Sequence, residues 1–450
     1  MWTLRRERGL TAAAGGVDTP SIADNAFLRA ARQAARGEAP QNRIHRMRTD
    51  TLAAPAPPAP PRSRRTLAAC AGAHVLHDGF SDMLYVLFPV WQAAFGLSFA
   101  QVGLLKTLYS GSMAALQVPA SLLAERVGER VLLALGTVAA AAAFIVAGST
   151  AGFPGLALCL VAGGAGASVQ HPLGAALTAR AFEGAQQRAA LGTYNFSGDI
   201  GKVLLPALCA ALLALFDWHA VTVLMGALGL AAAIAIWFAV PRALPQEAAA
   251  AAPETRADAA PGSLLNPGFV SLSAIGIIDS ATRMGFLTLL PFVLIAKGAS
   301  VTQVGFALSL TFAGGAAGKF VCGLIAARAG VLRTTILTEV ATAAGIVALL
   351  PLSLDASMLL LPLLGVALNG TSSVLYGTVA ELVPNARRAR AFGVFYTLTI
   401  GAGAVSPALY GALGDLVGVA RTFGVIAAVV LLVLPLTLLL RPSLRPPSAA

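Results

Sequence analysis

The chain has 450 residues, of which 57% are hydrophobic and only 11% are charged, and this composition excludes an ordinary soluble protein. Its formal net charge of +11 would suit a nucleic-acid partner, but residues 1–66 contribute +7 of it, from 12 Arg and 5 acidic residues. Because the rest of the chain carries only +4, we expect no nucleic-acid-binding surface.

Residues 1–66 form a basic leader that is rich in Ala, Pro and Arg and has no hydrophobic period, so we predict that it is disordered. It lacks the apolar core of about 7–15 residues that a secretory signal needs. One interpretation is that translation starts near Met47 instead of Met1. The other is a regulatory or lipid-contacting tail.

Twelve apolar segments follow the leader, each close to the length of about 20 residues that crosses a bilayer, and they predict an all-α polytopic membrane protein. They lie at roughly 67–95, 101–124, 131–150, 153–179, 189–215, 219–240, 268–296, 302–326, 334–353, 357–382, 391–416 and 420–440. The polar, Ala- and Pro-rich stretch 241–267 predicts a cytoplasmic linker. It separates an N-terminal six-helix half (67–240) from a C-terminal six-helix half (268–440), which is followed by a short tail (441–450).

The two halves repeat the same landmarks, at an offset of 202 residues in the first two segments of each half and 201 in the fifth. The matched landmarks are Pro89 with Pro291, Gln101-Val102-Gly103 with Gln303-Val304-Gly305, Arg126 with Arg328, Gly128 with Gly330, Gly192 with Gly393, and Pro206-Ala207-Leu208 with Pro407-Ala408-Leu409. Two six-helix pseudo-repeats with a substrate site between them are a plan that secondary transporters use.

Positive charges collect in the loops on one side of the predicted bundle. These are Arg62, Arg64, Arg65, Arg126, Arg130, Arg180, Arg188, Arg242, Arg256, Arg328, Arg333, Arg387, Arg388, Arg390, Arg441 and Arg445. The loops on the opposite side offer little more than Lys297 and Arg421. The positive-inside rule therefore predicts a multi-pass protein of the inner (plasma) membrane with both termini in the cytoplasm.

The sequence favours neither a metal site nor enzyme chemistry. Four cysteines are scattered singly in apolar segments, so we expect no disulfide and no metal ligand set: Cys70, Cys159, Cys209 and Cys322. No phosphate-binding loop and no Ser/His/Asp ordering rises above chance. We therefore expect no cofactor and no catalytic residues.

The first segment carries four titratable residues, His74, His77, Asp78 and Asp82. His74 and Asp78, and then Asp78 and Asp82, are each spaced i,i+4 and share one helix face. Charged groups inside a bilayer cost roughly 2.5–3.5 kcal/mol each on insertion scales, so those that are retained line a cavity or pair. We predict that Asp78 and Asp82 take part in proton coupling; the alternative is that they form buried pairs that only hold helices together.

His171, in the fourth segment, and Asp199, in the fifth, lie at nearly the same depth as Asp78, about 14–20 Å from the flanking arginines at 1.5 Å per residue. Pro172 removes the backbone donor for the Ser168 carbonyl, and such a break is tolerated where other groups satisfy the carbonyl. His171 is therefore a third coupling candidate.

Two charged pairs are candidates for substrate contact or gating: Asp199 with Lys202 at i,i+3, and Asp279 with Arg283 at i,i+4. Each pair could instead be neutral and structural. Asn195 and Asn369 are further hydrogen-bonding candidates. The remaining charges are expected to pair (Lys319 with Glu339) or to reach the membrane surface from helix ends (Lys106 and Glu381).

The helical region resembles the major facilitator superfamily, whose loop between helices 2 and 3 carries Gly-x-x-x-Asp-Arg-x-Gly-basic-basic. The corresponding residues here are Ser121, Glu125, Arg126, Gly128, Glu129 and Arg130, of which Arg126, Gly128 and Arg130 agree and Glu125 is a conservative exchange. The resemblance implies that Glu125, Arg126, Gly128 and Arg130 form a cytoplasmic gate loop. It also implies alternating access around a cavity lined by helices 1, 4, 7 and 10, in a protein that works as a monomer.

More locally, the chain is similar to the fosmidomycin-resistance branch. The similarity rests on the His- and Asp-bearing first helix that ends in Leu87-Phe88-Pro89, on the run from Phe95 to Leu105, and on His171-Pro172. It implies export of a drug in exchange for protons. In the fifth helix the antiporter glycine pattern is met only in part, by Gly198 and Gly201, since Leu205 precedes Pro206.

These patterns predict a secondary transporter of a small solute, with proton-coupled efflux as the leading hypothesis. The alternatives are a proton symporter that imports a small organic anion, a membrane sensor that transports nothing, and a membrane-embedded enzyme.

Overall fold

The computed structural model describes residues 61–240, 266–384 and 387–444. The predictions made for the leader up to residue 60, for the linker at 241–265 and for the tail from residue 445 lie outside the described residues. Within the described ranges the regular structure is helical, and no β-strand is present. This confirms the predicted all-α fold class.

Twelve helices follow one another in the described residues, two of them in two pieces. They are α1 (Pro61–Phe95), α2 (Phe99–Val127), α3 (Glu129–Ala147), α4a (Phe153–Ala167), α4b (Gln170–Ala181), α5 (Gly184–Leu213), α6 (Trp218–Ala239), α7 (Pro267–Ala296), α8 (Val301–Ala329), α9 (Val331–Leu349), α10 (Leu354–Leu382), α11 (Arg388–Val417), α12a (Val419–Leu431) and α12b (Val433–Leu440). α1 begins six residues before the predicted segment.

Among the described residues, ten spans are long and apolar enough to cross a membrane, when α4a–α4b and α12a–α12b each count as one span. The two other long helices, α1 and α2, have 35 and 29 residues and are more polar, since they carry the aspartates and Lys106 that face the bundle. Large apolar side chains point outward, such as Leu359 and Leu416, which are 78% and 82% exposed. An apolar exterior of this kind fits lipid contact.

The helix ends repeat between the two halves as the sequence landmarks do. A capping box formed by Ser98 and Gln101 begins α2, and one formed by Ser300 and Gln303 begins α8. Both helices end at a glycine with positive φ, Gly128 at 92° and Gly330 at 83°, a conformation that other residues rarely adopt. The six-helix pseudo-repeat is therefore built into the turns as well as the apolar pattern.

The two halves meet along α2 with α11 and along α5 with α8. The backbone N–H groups of Phe99 and Ala100, at the start of α2, donate to the Asp415 carboxylate on α11 at 2.8 and 2.9 Å. This carboxylate lies where the first N–H groups of a helix lack internal partners. The contact joins the halves at the end of the bundle that is predicted to face outward.

Candidate functional site

α1 presents its titratable side chains to the interior of the N-terminal half. His74, His77, Asp78 and Asp82 are all at most 9% exposed. The helix can bring them close to α5 because Gly201 faces the α1 backbone: a Cβ at Gly201 would lie 2.0 Å from the Val75 carbonyl oxygen. Close backbone approach through small residues is the usual packing device in membranes.

Asp78 is the centre of an ionic cluster. Its Oδ2 lies 3.4 Å from Nε2 of His74 and 3.4 Å from Nζ of Lys202, and its Oδ1 lies 3.5 Å from Nε2 of His171. The structure therefore brings together Asp78 and His171, which the sequence placed at one depth. We call Asp78, His74, His171 and Lys202 the Asp78 cluster.

The orientation of His74 fixes its protonation pattern. Its Nδ1 lies 2.8 Å from the Tyr194 carbonyl oxygen, which can only accept, so Nδ1 carries a hydrogen and Nε2 is the ring nitrogen that faces Asp78. The side-chain rings of His74 and Tyr194 stack with their centroids 4.4 Å apart. Gly198 leaves the room for this arrangement, since a Cβ there would lie 2.6 Å from both His74 Nε2 and Asp78 Oδ2.

His171 is placed by the break between α4a and α4b, immediately before Pro172. The Tyr194 hydroxyl donates to the carbonyl oxygens of Gln170 and His171 at 3.3 and 3.5 Å, so α5 helps to satisfy the backbone near the break. His171 is the most exposed member of the Asp78 cluster, with 32% of its side chain accessible.

The donor atoms of His74, Asp78 and His171 all lie within 4.8 Å of one another, a spacing that could hold a metal ion. However, the Lys202 ammonium lies 3.4 Å from the same carboxylate and supplies the positive charge there. A metal ion would have to displace it, so we assign the position to Lys202.

Asp199 connects the Asp78 cluster to the C-terminal half. Lys319, on α8, donates to both carboxylate oxygens of Asp199 at 2.7 Å, while Lys202 lies 3.8 Å from the same carboxylate. The expectation that Lys319 pairs with Glu339 is wrong, because α8 turns Lys319 toward α5. Glu339 lies on α9 and is only 2% exposed.

Lys106 is fully buried, so the expectation that it reaches the membrane surface is also wrong. Its Nζ lies 3.9 Å from Asp82, donates to the Ser81 carbonyl oxygen at 2.8 Å and lies 4.4 Å from the Tyr85 ring centroid. A carboxylate, a carbonyl and an aromatic face together compensate the buried ammonium. Glu381 is exposed near the end of α10, as expected.

The C-terminal half holds a cavity of about 60 Å³ between α7, α10 and α11. Asp279 and Arg283 line it, with Nη2 of Arg283 3.8 Å from the nearest carboxylate oxygen of Asp279. The rest of the lining is Gly276, Ser280, Ser372, Leu375, Tyr376, Phe395, Thr399 and Ile400. We call this space the C-half cavity.

Neither predicted asparagine is among the residues that line the C-half cavity or form the Asp78 cluster. Asn195 is exposed on α5. Asn369 donates to the Gly365 carbonyl oxygen of its own helix at 3.4 Å and packs against Gly315 of α8.

The predicted gate loop is held within its own half. Glu125, Arg126 and Gly128 are exposed, while the Arg130 guanidinium lies 4.5 Å from the Trp237 ring centroid. The ion pair at this loop joins Arg180 to Glu129, a position where the sequence departs from the superfamily motif.

The model of the family described as Major Facilitator Superfamily matches residues 70–293 and 272–450. This chain belongs to the Major Facilitator Superfamily. By family it is therefore a multi-pass membrane transporter and not an enzyme.

A curated relative is the probable L-galactonate transporter of Escherichia coli (strain K12), 26% identical over 143 residues. The alignment covers 32% of this chain and spans only 31% of the relative's length. Neither this relative nor the family match supports the narrower resemblance to the fosmidomycin-resistance branch, which stays a prediction.

Solved structures of the superfamily share the fold. A bacterial homologue of the human lysosomal transporter Spinster, in an inward-facing and occupied conformation, superposes with a TM-score of 0.74 at 17% identity over 87% of this chain and 100% of that one. The nucleoside transporter NupG gives a TM-score of 0.68 at 14% identity over 84% of this chain and 99% of that one.

Proposed function

We propose that this superfamily member is a proton-coupled secondary transporter that moves a small organic anion by alternating access. The observation that carries the proposal is the charge balance around Asp78. In the described part of the chain, three carboxylates around this position lie beside three ammonium groups. Lys202 lies beside Asp78, Lys106 beside Asp82, and Lys319 and Lys202 beside Asp199.

With neutral histidines this network has no net charge. An anionic solute would then add an uncompensated negative charge to a low-dielectric interior, which is strongly unfavourable. One proton on the Asp78 cluster restores neutrality, so the loaded protein carries the anion and the proton together. Asp78 and its neighbour His171, the most exposed member of the cluster, are the positions that we propose to take this proton.

The other titratable or charged groups near the cluster come from every element packed against it. They are His77 and Asp82 on α1, Lys106 and Tyr109 on α2, Tyr194 and Asp199 on α5, Arg283 on α7, Lys319 on α8 and Tyr396 on α11. Asp78, Asp82 and His171 are the proposed coupling residues, and Asp199, Lys202, Asp279 and Arg283 the proposed substrate or gating residues. The sugar acid named for the L-galactonate transporter is an organic anion, which supports the same substrate class.

The runner-up is efflux of a drug in exchange for protons, as the resemblance to the fosmidomycin-resistance branch implies. In both cases we propose a monomer in the inner membrane with both termini in the cytoplasm. The two mechanisms differ in the sign of the proton movement that accompanies the solute.

Proteoliposomes that contain a luminal pH-sensitive dye distinguish them. When L-galactonate, fosmidomycin or a panel of small anions and cations is added outside, a symporter acidifies the lumen and an antiporter makes it alkaline, whichever way the protein is inserted. We expect acidification by an organic anion with the wild type. Asp78→Asn should abolish it, while the exposed control Asp355→Asn should not. Acidification that persists in both Asp78→Asn and His171→Ala would refute the coupling role.

A further inference from the structure

The C-half cavity occupies the position in the C-terminal repeat that the Asp78 cluster occupies in the N-terminal repeat. At the 202-residue offset, His74 and Asp78 correspond to Gly276 and Ser280; at the 201-residue offset of the later helices, His171 corresponds to Ser372. All three equivalents line the cavity. In the N-terminal half, titratable side chains fill these positions. In the C-terminal half, small residues at the equivalent positions leave a cavity.

The equivalence holds in the packing as well as in the numbering. A Cβ at Gly164 of α4a would lie 2.1 Å from the Tyr109 carbonyl oxygen, and a Cβ at Gly365 of α10 would lie 2.1 Å from the Thr311 carbonyl oxygen. The fourth helix of each half therefore contacts the second in the same register. The cavity is consequently not an irregular gap but the counterpart of the coupling site.

Arg283 gives the cavity a hydrogen-bond donor for an anion. Its nearest approach to Asp279 is 3.8 Å, beyond hydrogen-bonding distance, so the guanidinium keeps N–H groups for a ligand. A guanidinium presents paired donors that match a carboxylate in a bidentate arrangement. Asp279 balances the charge without occupying those donors.

The hydroxyl groups around the cavity present acceptors. Ser372 donates to the Asn369 carbonyl oxygen at 2.9 Å, and Thr399 donates to the Tyr396 carbonyl oxygen at 3.0 Å. Tyr376 lies 3.3 Å from the Thr399 oxygen, and with the Thr399 hydrogen on the Tyr396 carbonyl, the Tyr376 hydroxyl is the donor in this arrangement. With their hydrogens engaged, these oxygens offer lone pairs, which are matched by the O–H groups of a solute.

We propose that the C-half cavity binds the substrate and that this substrate is a small hydroxylated carboxylate, with its carboxylate on Arg283 and its hydroxyl groups on Ser372, Tyr376 and Thr399. The proposal rests on the proposed function and divides the work between the repeats: the N-terminal half binds the proton and the C-terminal half binds the anion. The edge-to-face pair of Tyr376 and Phe395, with centroids 5.2 Å apart, supplies an apolar wall for the C–H face of the solute.

The test is calorimetric binding to the purified full-length protein in detergent at mildly acidic pH. The probes are L-galactonate, D-galactose as a hydroxylated solute without a carboxylate, and propionate as a carboxylate without hydroxyl groups. We expect L-galactonate to bind most tightly. Arg283→Gln should weaken it by about 10- to 100-fold, the effect of losing a charge-assisted pair, and Ser372→Ala by a few fold.

Matched controls separate a local from a general effect. Ser373→Ala changes the next residue of α10, which makes the same kind of bond to its own helix at 2.8 Å but does not line the cavity. Arg421→Gln removes an exposed arginine elsewhere. If Arg283→Gln misfolds because Asp279 loses its partner, Arg283→Gln with Asp279→Asn removes both charges, and Ser372→Leu fills the cavity instead.

Loss of L-galactonate binding in the cavity variants, with binding kept in the controls, supports the inference. Unchanged affinity in Arg283→Gln and Ser372→Leu overturns it and leaves the proposed transport of an organic anion standing. A wild type that binds neither L-galactonate nor propionate overturns the substrate class, and the proposed function with it.

Discussion

The Asp199–Lys319 ion pair is the contact whose loss should be most informative, because it joins α5 of one half to α8 of the other. Lys319→Met keeps the length of the side chain and removes its charge. Asp199 would then have Lys202, at 3.8 Å, as its remaining ion partner in the described chain. Because Lys202 also lies 3.4 Å from Asp78, the substitution should draw it away from the Asp78 cluster.

The expected cost follows from distance and exposure. At 2.7 Å the attraction is about 6 kcal/mol with an effective dielectric constant near 20, before desolvation is subtracted. Removing one partner of a fully buried pair costs about 3–5 kcal/mol, whereas exposed pairs contribute about 0.2–1 kcal/mol. The Asp199 side chain is 10% exposed but that of Lys319 is 41% exposed, so we expect a coupling energy of about 2 kcal/mol.

A double-mutant cycle measures this value. The proteins are the wild type, Asp199→Asn, Lys319→Met and the double variant, unfolded with increasing SDS in detergent micelles and followed by tryptophan fluorescence. A second cycle that combines Lys319→Met with the exposed Asp355→Asn should show additivity within about 0.5 kcal/mol. A coupling energy below about 0.5 kcal/mol in the first cycle would show that the ion pair does not hold the halves together.

Three further predictions concern stability and the predicted outer end. Gly201→Ala should destabilise the protein by about 1–3 kcal/mol or more, since its Cβ would lie 2.0 Å from a backbone oxygen of α1. The control Gly192→Ala should not destabilise it, because open space surrounds Gly192. Equal thermal stability of the two variants would contradict the packing argument. Lys106→Met should cost about 3–5 kcal/mol because it leaves Asp82 buried beside an apolar side chain, and Lys106→Met with Asp82→Asn should recover most of that loss in the same unfolding assay. Asp415→Ala removes the acceptor for the first N–H groups of α2, so cysteines introduced at that end should react faster with an impermeant maleimide; unchanged labelling rates would argue against the contact as an outer seal.

The sequence was sufficient to predict the all-helical architecture because bilayer thickness and the internal repeat each constrain it separately. It was also sufficient to place Asp78, His171 and Asp199 at one depth, since helical rise converts residue number into distance. That count does not give the rotation of one helix against another. Lys319 therefore contacts Asp199 on α5 and not Glu339 on α9, although both partners are compatible with its depth.

The burial of Lys106 depends on side-chain direction as well. Its position near the start of α2 allowed a route to the membrane surface, but the helix turns Nζ toward the Ser81 carbonyl oxygen and the ring of Tyr85. The C-half cavity escaped prediction for a different reason. Serine, threonine and tyrosine are ordinary residues inside membrane helices, and only the absence of bulk at Gly276 and Ser280, on the same helix face as Arg283, distinguishes these positions.

The repeat itself contains the signal that could have located the cavity. Landmarks that set backbone geometry agree between the halves: the two capping boxes, the positive-φ glycines at 128 and 330, and the prolines at 206 and 407. At the centre of each half the same offset instead pairs His74 with Gly276 and Asp78 with Ser280. Because the framework is kept and these central positions are not, we interpret the difference through the proposed division of proton and anion binding between the halves. In this proposal, a protonatable cluster in one half and a hydroxyl-lined cavity in the other form one coupled site. Alternating access then exposes both parts together, first to one side of the membrane and then to the other.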